Sequence, residues 1–133
     1  MAGSAVEELL QLNKRLLDSI DDRDWSTYEM LCDPSLTAFE PEALGQLVEG
    51  LPFHRFYFDL GGGRAAHNTT MSAPKVRVMG DVAIVTYVRL SQRLSADGDP
   101  TTTGTEETRI WQKKDKVWKH VHFHRSLIAS WPR

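Results

Sequence analysis

The 133-residue sequence predicts an α+β fold, helices first and then a meander of about four longer strands. Three observations carry this. Near the N-terminus Val6, Leu9, Leu10, Asn13, Leu16, Leu17 and Ile20 recur at helical spacing and form one apolar stripe. From His67 onward the pattern turns to alternation, the period of a strand. Thr105 to Ser126 then reads as two strands joined by the polar turn Lys113-Lys114-Asp115-Lys116.

Ser4-Ala5-Val6-Glu7 has the form of a capping box and marks the start of the first helix, which runs to about Ile20. Trp25 to Leu31 predicts a second helix, stopped ahead of Pro34 because proline disfavours helical geometry in the residue before it. Leu36 to Phe39 reads as a brief strand, and Pro41 suits the first position of a helical turn. Leu51 to Leu60 predicts a helix, although its aromatic content also suits a strand; Gly61-Gly62-Gly63 ends it and opens a loop. Thr69 to Met79 and Val82 to Leu94 are strands separated by Gly80-Asp81, and Ala96 to Pro100 is a polar turn before the final hairpin. No repeat or linker divides the chain, so residues 1–133 are expected to form one domain.

A composition of 41% hydrophobic and 26% charged residues excludes a disordered chain. The net charge of -2 gives no general pull toward nucleic acid or an anionic membrane, so neither is expected as a partner and any anion site must be local. One cysteine, Cys32, excludes an internal disulfide and fits a reducing, cytoplasmic compartment. No apolar run has the length of a membrane span, and the N-terminus lacks the apolar core of a signal peptide.

Alternation along the last strands places arginines in unusual company. Ala83, Val85, Tyr87 and Arg89 share one face; so do Glu107, Arg109 and Trp111, and then Val121, Phe123 and Arg125. Arginines are seldom buried unless paired, so three on neighbouring apolar faces predict a cavity lined by Arg89, Arg109 and Arg125. Their mutual repulsion, roughly 4 kcal/mol for two charges 4 Å apart at an effective dielectric near 20, must be offset. Glu107 is the nearest candidate, and a carboxylate or phosphate ligand gripped by arginine is the other. The competing reading has the arginines reach the rim and pair with surface acids.

The opposite face of the Val82 strand carries Val82, Ile84, Thr86, Val88 and Leu90 and is also apolar. A strand apolar on both sides needs both faces covered, and the predicted helices can cover one. The other is expected to meet a further subunit, or else the loops or the segment Leu127 to Trp131. His120, His122 and His124 alternate, so all three imidazoles are free to point to one side, at a subunit interface or hydrogen-bonded on the sheet. His-x-His on a strand is also a zinc arrangement, but no remote ligand is evident and no metal is expected. His54, with Arg55 and Tyr57 beside it, is a candidate base, although a lone histidine in an aromatic helix more often packs.

Several blocks carry a resemblance: Cys32-Asp33-Pro34, Thr37 to Gly45, Leu47 to Leu51, Phe53 to Phe58, Met79-Gly80-Asp81, Glu106 to Trp111 and His122 to Ser126. In this order they closely resemble the association, or hub, domain of calcium/calmodulin-dependent protein kinase II, over about Val6 to Ser126. The resemblance implies a cone-shaped fold similar to nuclear transport factor 2, its long N-terminal helix packed in a strongly curved antiparallel sheet. It implies assembly into a two-tiered ring of a dozen or more subunits holding kinase domains at its rim. It also implies an open cavity with Arg89, Arg109 and Arg125, and with Tyr28 and His54 nearby, that takes carboxylate-bearing kinase or regulatory segments or small anions. Two departures stand out. The segment Asp59 to His67 is short, glycine-rich and without the tryptophan that animal kinases carry there, and the chain contains no kinase domain.

The expected function is therefore an oligomerisation scaffold without catalysis or cofactor. Its interface would include Val82, Ile84, Val88, Leu90, His122 and His124. The alternative is a small isomerase or dehydratase with an acid/base among Tyr28, His54, Asp59 and Glu107. Such enzymes need a carboxyl with a raised pKa, whereas neighbouring arginines hold Glu107 ionised.

Overall fold

A computed structural model describes residues 2–61 and 66–128. Helix α1 spans Ala2–Asp21 and starts ahead of Ser4, so the predicted capping box lies inside the helix. Leu9, Leu16 and Leu17 are fully buried along its inner stripe. Helix α2 is Trp25–Leu31; Asp24 caps it by accepting from the Thr27 amide at 3.2 Å. Strand β1 (Cys32–Phe39) is longer than the expected 36–39, because Cys32 pairs with His120 before the ladder is interrupted around Pro34 and resumes at Thr37. A 3-10 turn at Pro41–Ala43, the short strand β2 (Val48–Glu49) and helix α3 (Pro52–Asp59) follow. Residues 62–65, which include part of the triple glycine, lie outside the described residues.

The remaining strands are β3 (His67–Met79), β4 (Val82–Leu94), β5 (Pro100–Lys114) and β6 (Val117–Leu127). Two hairpin turns fix their register. Gly80-Asp81 joins β3 to β4 in two residues, with Gly80 at φ 61°. Asp115 and Lys116 join β5 to β6 with φ of 50° and 67°, the handedness that matches the twist of the flanking strands. The six strands form one open sheet ordered β2-β1-β6-β5-β4-β3, antiparallel except where β1 runs parallel to β6.

Two further irregularities interrupt the pairing of these strands. In β3 the register shifts between Ser72 and Lys75, across Ala73 (φ 50°) and Pro74, and a proline is tolerated there because β3 is an edge strand. In β6, Ile110 pairs with His122 and Trp111 with His120, leaving Val121 as the extra residue.

All three helices gather on one face of this sheet. Leu9, Leu16 and Leu17 of α1, Tyr28 and Leu31 of α2, Ala83 and Val85 of β4, Trp111 of β5 and Phe123 of β6 make the core. Polar links also tie the layers, among them buried Asn13 of α1, which accepts from the Trp111 indole at 3.1 Å. Asn13→Ala leaves that indole N–H unpaired, so the unfolding free energy should fall by about 1–3 kcal/mol. Thermal denaturation of the two proteins side by side checks this.

Candidate functional site: an ion-paired cavity and an uncovered sheet face

The register lays the inner face out in rows. Val76, Val85, Arg109, Phe123 and Ala38 lie side by side in one, and Tyr87, Glu107 and Arg125 in the next. Met71, Arg89, Thr105 and Leu127 form a third. Glu107 is therefore central, with Tyr87 and Arg125 directly across, Thr105 and Arg109 on its own strand, and Arg89 diagonal to it. Directly opposite Cβ atoms sit about 5 Å apart, so long side chains here must meet.

Glu107, with none of its side chain exposed, is saturated. It accepts from Tyr87 Oη at 2.6 Å, from Thr105 Oγ1 at 2.9 Å, and from Arg109 Nη2 at 3.0 Å and Nε at 3.2 Å. Arg89 Nη1 lies 3.7 Å away. Burial by itself would raise this carboxyl. Arg109 first and then Arg89, together with the hydrogen bonds from Tyr87 and Thr105, outweigh it and hold the pKa down at about 2. The Arg109 guanidinium also stacks 4.3 Å from the centre of the Phe123 ring. Burial pushes the Tyr87 hydroxyl up to about 12 and the Tyr28 hydroxyl well above its ordinary 10.0, so both are neutral phenols.

A cavity of about 330 Å³ opens beside this centre. Arg89, Arg109 and Arg125 line it, and so do Tyr28 and His54; Glu107 stands behind Arg109. Arg93, Glu40 and Glu42, which sequence reasoning did not single out, line it as well. Each arginine already holds an internal acid. Arg89 pairs with Asp21 at 2.8 Å, Arg109 with Glu107, and Arg125 donates through Nη2 to both carboxylate oxygens of Glu42. Arg93 shares Asp21 at 3.2 Å. Glu107, the nearest candidate, offsets Arg109; Asp21 offsets Arg89, and the more exposed Arg125–Glu42 pair fits the competing reading of arginines paired with acids at the rim. His54 Nε2 is 2.7 Å from Glu40 Oε2 with both groups buried, and its ring lies 5.3 Å from Phe123.

The histidines of β6 do not act together. The Val121 bulge breaks the alternation, turning His120 into the core while His122 and His124 face outward with Thr37 and Phe39. The prediction that all three imidazoles can point to one side is thus corrected, as is the placing of Val121 with Phe123. His120 stacks on Phe123 and lies 3.5 Å from the Cys32 sulfur; burial drives its pKa well below 6.5, and Arg109 adds to this. Thr37 Oγ1 is 2.7 Å from His122 Nδ1. Among the described residues no group of three or more His, Cys, Asp or Glu could hold a metal ion.

The outer face of the sheet carries rows of its own. Ile84, Ile110, His122 and Thr37 lie in line, with Thr86, Thr108, His124 and Phe39 beside them and Val88 next to Glu106. Among the described residues no helix covers this face. A groove of about 460 Å³ lies on it, lined by Ser72, Thr86, Val88, Glu106, Thr108 and His124 among others. One corner is covered by the chain itself. Ile128 donates its amide to the Gly104 carbonyl at 3.1 Å, and a Cβ on Gly104 would stand 3.1 Å from Ile128 Cδ1 and 3.7 Å from Leu90 Cδ2. The rest of the segment expected to cover the face, from residue 129 on, lies outside the described residues.

The calcium/calmodulin dependent protein kinase II association domain family matches residues 5–129. The chain belongs to that family. The association domain of C. elegans CaMKII superposes with a TM-score of 0.89 at 46% identity, over 93% of this chain and 96% of that one. The alpha chain of calcium/calmodulin-dependent protein kinase type II from Drosophila melanogaster is 47% identical over 127 residues, 93% of this chain and 24% of that protein. This association domain thus spans about a quarter of the length of the curated relatives it matches. A nuclear transport factor 2-like protein from Salmonella enterica, 23% identical with a TM-score of 0.79 over 98% of this chain and 95% of that one, shows the same fold. The predicted α+β, nuclear transport factor 2-like architecture is the observed one.

Proposed function

We propose that this association domain is a self-association scaffold. Copies meet through the outer face of the sheet and build a two-tiered ring of a dozen or more subunits, which would hold attached kinase domains around it in the cytoplasm. The observation that carries this reading is the apolar strip of Val82, Ile84, Val88 and Ile110, left uncovered by the described residues and flanked by His122, His124 and Phe39. The groove on that face offers a seat for a neighbour's side chain. The membership of the family, whose name is that of an association domain, points the same way.

The cavity is a binding site for carboxylates or small anions, including acidic kinase or regulatory segments, with Arg125 at its mouth. Acid/base catalysis is the weaker reading, because Glu107 is held near 2 rather than raised and is enclosed by its own donors. Native mass spectrometry at micromolar subunit concentration tests the scaffold: an assembly is expected, and a monomer overturns it. Millimolar acetate should raise the melting temperature, as any ligand that binds only the folded state does; no shift removes the cavity reading and leaves the scaffold standing.

A further inference from the structure

We propose that Glu42 is a built-in competitor of the cavity, holding Arg125 until a ligand carboxylate displaces it; this rests on the anion-binding reading above. The charges around the cavity are balanced within the chain. Arg89 and Arg93 share Asp21, Arg109 holds Glu107, Glu40 is tied to His54, and Arg125 holds Glu42. Each guanidinium is thus engaged by an acid, although Arg89 Nε and Arg109 Nη1 are left without a partner among the described residues. An anion that is to be gripped by Arg125 must compete with Glu42.

Three of these acids are fixed. Glu107 is fully buried with four hydrogen bonds, and the Asp21 side chain, 3% exposed, also accepts from Thr69 and Arg93. Glu40 is buried against His54, with 4% of its side chain exposed. Glu42 differs in every respect. Its side chain is 39% exposed, Arg125 is its only partner among the described residues, and Arg125 itself is 18% exposed. Glu42 sits on the 3-10 turn Pro41–Ala43, whose backbone is held by the bonds Ala43 N to Glu40 O and Leu44 N to Pro41 O. Side-chain rotation alone swings the carboxylate into solvent, and no backbone bond breaks. The freed guanidinium then faces a cavity already lined by Tyr57, His54 and Thr105.

An ion pair this exposed is weak, so it lowers ligand affinity modestly rather than blocking entry, by roughly two- to fivefold. Sodium acetate titrations of the assembled protein at constant ionic strength, followed by calorimetry and by melting temperature, test the proposal on the parent, Glu42→Gln, Glu42→Ala and Arg125→Gln. Glu42→Ala is expected to bind acetate two- to fivefold more tightly than the parent, Glu42→Gln to do so to a smaller extent, and Arg125→Gln to lose binding. Equal or weaker binding by both Glu42 variants, with the parent still binding, overturns the competitor and leaves the cavity reading intact. No response from the parent and both Glu42 variants overturns the two together.

Discussion

Glu107→Gln should lower the unfolding free energy by about 3–5 kcal/mol, because it removes the buried charge on which Arg109 depends entirely and Arg89 in part. Arg109 keeps neutral partners, Tyr87 Oη, the Phe123 ring and the amide oxygen of the new side chain, none of which neutralises it. At matched subunit concentration this corresponds to a melting temperature lower by roughly 10–20 °C. Glu107→Met combined with Arg109→Met removes both charges from the pair, and should recover much of the loss. A melting temperature for Glu107→Gln within about 3 °C of the parent would contradict the account.

The same carboxylate sets an acid limit. Its folded pKa of about 2 lies below the ordinary 4.5, so its contribution is complete above about pH 4.5 and is lost as pH falls from there toward 2. His120 adds an earlier loss. It is buried neutral with a folded pKa below the ordinary 6.5, so the unfolded chain takes up a proton first as pH drops below 6.5. Melting temperatures recorded from pH 7 to 2 should therefore fall in two stages, and the second should be flattened in Glu107→Gln.

The strand half of the fold was legible because its signals are local. The Val82–Leu94 boundaries follow from alternation between Gly80-Asp81 and the Ala96 turn, and the inner placement of Tyr87, Arg89, Glu107 and Arg109 follows from the same period. The misplacement of His120 and Val121 has one cause, a bulge, which adds a residue without changing composition or hydropathy. The partners of the arginines were hidden for another reason. Asp21 lies 68 residues from Arg89, and Glu42 lies 83 from Arg125. Only the parallel pairing of β1 with β6 brings the Glu42 turn to the end of the Arg125 strand, and no periodicity reports which strands are neighbours. Two cues were present nonetheless: acids immediately after a helix end, at Asp21-Asp22, and acids on either side of Pro41.

Ile84→Asp and Val88→Asp should each break the assembly into small species. Ile84 sits in the outer row with Ile110 and His122, and Val88 lines the groove two rows further on. A carboxylate placed there is solvated in a free subunit but desolvated and unpaired in an assembled one. Such an uncompensated buried charge costs about 3–5 kcal/mol, which weakens a contact by roughly two to three powers of ten. Leu90 is the poorer probe, since Ile128 of the same chain lies beside it and Leu90→Asp would also disturb that packing. Gln11→Asp, on the exposed side of α1, supplies the matched charge without the interface. Native mass spectrometry and light scattering at micromolar concentration read the result, with circular dichroism to show that each variant is folded. If Ile84→Asp and Val88→Asp fold and keep the parent's mass, the subunits do not meet through this face.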